Sequence, residues 1–457
     1  MGDNGVAGLG RRFAALWAAS TTSALGSGLA LVATPLLVAA RTDDPLLVSA
    51  AAGIGWLPWL LFALPGGVLV DRTDRRRLMV VVDWARVAAM GVLAAAVATG
   101  HAGLPLLYAV LFVVNTGEVV FRAASQAVLP AVVPRERLER ANGLLLGGAT
   151  LMQQMVAGPL GGFLFVLAAA LPFLANTATY AASAVLIGLV GGVYRAAPGG
   201  DPRPAAAGAR SVVAEMAEGL RWLVRQRLLR TMAVLIGLLN VTLTAATAVL
   251  VLLASQRLHL GSVGYGLLFT CMAAGGVLGS VAGDRVIARA TPTWTIRIGL
   301  LVEAGLHLAL ATSRDPYLIG FALFAFGVHG ALWGIVASSL RQRLTPPEML
   351  GRVGSSNLFI AAGGNCAGAL LGGALAGGFG LTAPYWVGFV VAVLVSAATW
   401  RVFDRATVAQ AYATPVPADR PAPVPADRPA PASADRPAPA SADRPAPASA
   451  DGPVGAG

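Results

Sequence analysis

The chain has 457 residues, of which 56% are hydrophobic and 12% charged, with a mean hydropathy of +0.71; this excludes a soluble protein and indicates a polytopic membrane protein. The formal net charge of +11 gives no nucleic-acid reading, because the basic residues, all arginine, are scattered through turns between apolar runs and form no aromatic-interleaved face. Two cysteines, Cys271 and Cys366, both inside apolar runs, leave no disulfide framework and no metal spacing.

About 20 apolar residues are needed to cross a bilayer. On that rule six spans are predicted near 13–40, 46–70, 77–99, 104–130, 141–168 and 171–194, and six more near 229–254, 262–283, 295–312, 316–339, 355–378 and 381–402. Arg11 and Arg12 precede a first run too long for a signal-peptide core, so residues 1–12 read as a short N-terminal segment before a retained helix. Arginines collect in alternate turns, with Arg135, Arg137 and Arg140 after span 4 and Arg341, Arg343 and Arg352 around the turn after span 10. Short loops rich in arginine stay on the inner side, which orients the chain in a plasma membrane with both termini cytoplasmic.

Residues 195–228 form a polar linker holding a predicted amphipathic helix, Glu215 to Arg230, whose Met216, Leu220, Leu223 and Val224 share a face suited to the inner membrane surface. The linker separates a six-span half, 13–194, from a second, 229–405. Asp71-Arg72 recurs as Asp284-Arg285, 213 positions later, and Pro134-x-Glu136-x-Leu138-x-Arg140 recurs 212 positions later from Pro346, so the halves read as a duplication. Two repeats that rock against each other are the requirement of an alternating-access transporter. Residues 406–457 are expected to be disordered, since from 413 the chain repeats Pro-Ala-Asp-Arg-Pro-Ala-Pro units with nothing large and apolar to bury.

The stretch from Gly67 to Leu78, between spans 2 and 3, carries Asp71, Arg72, Asp74, Arg75, Arg76 and Arg77. It resembles the Gly-x-Leu-x-Asp-Arg-x-Gly-Arg-Arg loop of major facilitator superfamily transporters, in the variant of the macrolide-efflux and siderophore-exporter-like branch, with Asp74 replacing the second glycine. The resemblance covers roughly 13–405. It implies an all-α membrane protein of twelve transmembrane helices in two pseudo-repeated halves, and an inner gate made by Gly67, Asp71, Arg72, Arg75 and Arg76, with Asp284 and Arg285 as the weaker copy; alternatively these charges only fix topology. Gly158-Pro159-Leu160-Gly161-Gly162 in span 5 resembles the core of the family's antiporter signature, a kinked hinge, although plain small-residue packing explains it equally. Where similar sequences carry acids, span 1 reads Ser23-Ala24-Leu25-Gly26-Ser27 and span 6 has Asn176.

Ionisable groups inside spans mark function by default. Glu118 and Arg122, one turn apart in span 4, and Glu303 and His307, likewise spaced in span 9, are the proton-coupling candidates, with a purely structural pair as the alternative. Asn115, Gln154, Asn240, His329 and Asn365 are candidate cavity residues. No phosphate loop can exist without lysine, and no hydrolase or zinc motif occurs, so neither an enzyme nor a cofactor is expected and transport must draw on a gradient. The expected function is proton-coupled export of amphipathic small molecules by a monomer in the lipid bilayer; the alternatives are a metabolite importer or a scaffold acting through its tail.

Overall fold

The computed structural model describes residues 6–192, 194 and 209–413; the linker between them and the repeat tail lie outside it. Every regular element among the described residues is helical. Spans 1 to 4 are Arg11–Ala39, Pro45–Arg72, Arg75–Ala98 and Leu104–Val132; span 5 is Leu138–Leu167 and span 6 Leu171–Leu189. Span 7 is Arg227–Gln256, and one 51-residue helix, Ser262–Thr312, follows. It breaks at Thr291 (φ 66°) and Pro292, because proline's missing N–H and ring end a helix at the residue before it. Its arms, 262–290 and 292–312, stand where spans 8 and 9 are predicted. Spans 10 to 12 are Pro316–Leu344, Leu350–Phe379 and Ala383–Thr399. Among the described residues ten helices are long and apolar enough to cross a membrane, the broken one counted once; Ala383–Thr399 is shorter.

The even spans 2, 4, 6, 10 and 12 open on proline in their first turn. At that position the missing N–H would have had no helical partner, so proline starts a helix without leaving a bare donor at the membrane face. The boundary of span 6 differs from expectation. It stops at Leu189, not 194, and Gly192 turns the chain at φ 114°.

That turn lets the end of span 6 cap the start of span 3. Asp74 is buried at the N-cap of span 3, where its carboxylate accepts from the N–H of Arg77 at 2.8 Å and of Tyr194 at 2.9 Å. The acid that departs from the family pattern is therefore a joint between two spans. Arg76 reaches the carbonyls of Ile187 and Gly188, satisfying the last turn of span 6, and Arg75 donates to Ala127 O of span 4 at 3.0 Å. Asp74→Ala removes a cap and strands a buried N–H, so it should lower stability by about 1–3 kcal/mol. Thermal unfolding in detergent reads this, and an unchanged midpoint would return Asp74 to the role of a surface charge.

The buried core has a directional layout. At the end away from the arginine-rich turns, one cluster unites both sets of six spans, with Leu36 and Leu37 of span 1 beside Val251 and Leu253 of span 7. At the arginine-rich end the clusters divide. One draws only on residues up to Tyr194, the others only on residues from Trp222 onward. There Gly67, Gly143, Gly351 and Gly354 face open space.

Two helices after the sixth span depart from expectation. The linker helix runs Ala209–Arg225, short of Arg230, and Gln226 caps the start of span 7. It docks on span 11: Leu223 packs with Val353, Gly219 abuts the Arg352 backbone, and Glu218 pairs with Arg352 at 2.9 Å. Leu220 and Val224 remain exposed, so only part of its apolar face is left for a membrane surface. Residues 406–413, expected to be disordered, belong to a helix, Arg405–Ala413. Its Val408 and Ala411 are buried against spans 7, 9 and 10, and Arg343 holds Tyr412 O at 3.0 Å.

Candidate functional site

Midway along spans 1, 3, 4 and 6 lies a network of four charges. Arg86 of span 3 is 1% exposed, and its guanidinium donates to Asp83 Oδ1 at 3.1 Å, Glu118 Oε2 at 2.5 Å, and the hydroxyls of Ser23 and Ser27 at 3.1 and 3.2 Å. The Tyr180 ring of span 6 lies beneath it, 3.8 Å from the guanidinium carbon. Glu118 Oε1 accepts from Arg122 Nε at 2.5 Å, and Arg122 also donates to Gln153 Oε1 of span 5 at 3.1 Å. Two acids and two arginines cancel formally. A charge taken out of water costs several kcal/mol unless partners meet it closely, and here every charge has a partner of opposite sign within 3.1 Å.

Local sequence makes room for this. Asp83 and Arg86 are spaced i,i+3 on span 3, and Glu118 and Arg122 i,i+4 on span 4, so each pair shares a helix face. Gly117 lets the Arg86 stem pass, since a Cβ there would stand 2.8 Å from its Cγ and Cδ. Span 1 contributes hydroxyls, and the carboxylates come from spans 3 and 4.

The four charges are not equivalent. Asp83, Arg86 and Glu118 are buried, but the Arg122 side chain is 46% exposed. Its neighbours are Trp59 of span 2, with ring centre 5.6 Å away, and Gln153 of span 5. Spans 2 and 5 also touch the other set of six: Gly53 O lies 3.7 Å from Cys366 Sγ of span 11, and Gly158 abuts Gly266 of span 8. Arg122 therefore faces the seam between the two sets.

The glycines of span 5 serve that seam. A Cβ on Gly158 would sit 2.7 Å from Gly266 O, Gly162 meets Ser262, and Gly161 packs on span 1. Just before them, Leu151–Val156 is a π-helical turn. Pro159 cannot donate and would crowd the carbonyl four residues back, and the wider turn absorbs this. Small-residue packing and a local distortion thus occur together.

The remaining candidates are dispersed. Asn115 bonds its own helix at Leu111 O, Gln154 is exposed beside Gln153, Asn240 packs near Gly364, and Asn365 accepts from Thr244 Oγ1 at 2.8 Å. Glu303 and His307 are buried on span 9, with His307 lying on Gly388 of span 12, away from the four-charge network. His329 rests on Gly299. Arg72, Asp284 and Arg285 are exposed, Gly67 faces open space, and the Asp71 side chain lies outside the described residues. Sequence reasoning missed Asp83, Arg86 and Gln153. An Asp-x-x-Arg pair inside an apolar run was the available signal.

The helical architecture defines the class: it is that of major facilitator transporters. The crystal structure of the nucleoside transporter NupG superimposes with a TM-score of 0.70 over 86% of this chain and 100% of that one, at 11% identity, a likeness of fold. The chain belongs to the transmembrane secretion effector family of that superfamily, whose pattern it matches over residues 8–421. It is similar to macrolide efflux protein A of Streptococcus pyogenes, 31% identical over 134 residues; the match takes in 29% of this chain and spans about a third of that relative (33%). It is also similar to the multidrug efflux pump Tap of Mycobacterium tuberculosis, 26% identical over 381 residues, 80% of this chain and 87% of Tap.

Proposed function

We propose that the chain exports amphipathic small molecules across the plasma membrane in exchange for protons, and that the structure is its inward-open state, with the arginine-rich end in the cytoplasm. The observation that carries this reading is the Glu118–Arg122 pair, half open to the seam at mid-membrane and backed by buried Arg86. A charge pair at that depth is costly to insert and is of use where it meets substrate and protons. Orientation rests on the arginine-rich turns. The inward-open assignment rests on the core, which is shared at the far end and divided at the arginine-rich end. Export, and not import, rests on the efflux relatives. The loop around Asp71 would close the inner face in the opposite state, with the halves parting at the seam of spans 5 and 8.

Flux of several amphipathic dyes and antibiotics in proteoliposomes under an imposed pH gradient tests the whole reading. Movement of at least one compound against its gradient, driven by protons moving the other way, is expected; indifference to the pH gradient for all of them would remove proton coupling. The seam has its own test. Gly158→Val should hold spans 5 and 8 apart, so Cys366, in a Cys271→Ser background, should react several-fold faster with an impermeant thiol reagent added outside. An unchanged rate would mean that the outer seal does not depend on the Gly158–Gly266 contact.

A further inference from the structure

Spans 8, 9 and 10 leave a groove on their outer flank, a cavity of about 300 Å³. Val286 and Ala290 of span 8, Ile298 and Val302 of span 9, and Phe321 and Ala325 of span 10 line it. Ile298 and Phe321 are 50% and 67% exposed, so the groove opens on the membrane side of the bundle. Val286 lies roughly 200° around span 8 from Gly266, which touches span 5, at 3.6 residues per turn. This flank is turned away from the seam where Arg122 lies.

Its dimensions and charges specify an occupant. The lining follows span 9 from Thr295 to Val302 for about 10 Å, and span 10 from Phe321 to Leu332 for about 16 Å, at 1.5 Å per residue. That is close to half of the roughly 30 Å hydrocarbon core, the depth of one leaflet. The lining is apolar apart from Thr295 and His329, and the His329 ring is turned onto Gly299 between Phe326 and Trp333. Arg285 and Arg289, each one residue before a lining residue, are exposed and spaced i,i+4, so they stack on one face of span 8 beside the stack of Val286 and Ala290. An apolar channel one leaflet deep, with two guanidinium groups beside it, matches a lipid with an apolar tail and a negative head.

We propose that this groove holds one acyl chain of an anionic phospholipid from the leaflet at the arginine-rich end, with its phosphate held by Arg285 and Arg289. The lipid would pack the outer side of spans 8 and 10, whose inner ends move when the two halves rock. Arg285, the weaker copy of the loop arginine Arg72, then binds lipid.

The test uses the full chain in phosphatidylcholine bilayers containing a few per cent of phosphatidylglycerol with a mid-chain diazirine, compared with the same diazirine on phosphatidylcholine. After illumination, labelled peptides are mapped by mass spectrometry. Phosphatidylglycerol should label 286–302 and 321–332 at least threefold more than phosphatidylcholine does, and more than the membrane face of span 12. Arg285→Gln with Arg289→Gln should abolish the headgroup preference, and Ala325→Trp should abolish labelling inside the groove. Labelling spread evenly over all spans, or equal for both headgroups, or unchanged in the double arginine variant, would overturn the proposal; the arginine substitutions lie on the exposed surface, so the test stands even where Ala325→Trp fails to fold.

Discussion

Arg86→Met should lower stability by about 3–5 kcal/mol and abolish transport, the largest effect expected of a single substitution in this chain. The size follows from what it leaves behind. Asp83 and Glu118 would remain buried, 0% and 8% exposed, and Asp83 would lose the only cation within 4 Å among the described residues. Removing one member of a buried ion pair costs more than the pair is worth, because the other member keeps its desolvation penalty. Arg86→Lys should rescue little, since one compact ammonium replaces the two guanidinium nitrogens that reach Asp83 and Glu118 separately. Adding Asp83→Asn to Arg86→Met should recover part of the stability by removing one stranded charge, but no flux, because Glu118 still lacks its buried partner. Thermal unfolding in detergent and proteoliposome flux read the two effects separately. An Arg86→Met protein as stable as the parent would show that water reaches these charges.

This network shows how far the sequence could be read. Spans were legible because twenty apolar residues in a row announce themselves, and most span ends fell within a few residues of the observed ones. The breaks at Thr291-Pro292 and Gln226 came where a proline or a polar run interrupts the pattern. Glu118 and Arg122 were legible as a pair because they lie one helical turn apart, far from either end of span 4. Asp83 and Arg86 were not, because they follow the arginine-rich loop by only about two turns, and a linear scan does not separate a charge at the interface from one folded inward. Only the packing of span 3 against spans 1, 4 and 6 gives their depth. The helices at the two polar segments were misjudged for a related reason. Docking of Leu223 on Val353 and of Val408 on Phe403 and neighbouring residues depends on partners more than a hundred positions away, or on small buried areas that composition hides.

The position of Glu303 illustrates the same limit from the other side. In sequence it is the equal of Glu118, an acid in mid-span with a basic residue one turn on. In the structure it is 2% exposed, with His307 against span 12, whereas Glu118 is joined to a side chain that reaches the seam. A group that exchanges protons with alternating sides of a membrane must be reachable when the halves rock. Burial alone does not supply this, and a connection to the seam does.

That difference sets the second large prediction. Glu118→Gln should preserve the fold, because Arg86 keeps Asp83, Ser23 and Ser27 and the amide oxygen can still accept from it. It should also preserve substrate binding, since the amide imitates the protonated carboxyl, but reduce pH-gradient-driven flux at least tenfold. Arg122 is the partner that can leave, being half exposed and held otherwise by Gln153 and the face of Trp59. Arg86 is fixed by two carboxylates and two hydroxyls. In the proposed exchange, rocking of span 5, which carries Gln153 on its π-helical turn, would draw Arg122 away and open Glu118 Oε1 to a proton, and return of Arg122 would expel it. Gln153→Ala should therefore change the rate of coupled flux without abolishing it, as expected of a residue that acts through Arg122. Glu303→Gln serves as the control and should leave acid-driven flux within a factor of two. If accumulation persists in Glu118→Gln and disappears in Glu303→Gln, coupling belongs to span 9, and the four-charge network is a structural bolt joining spans 1, 3 and 4.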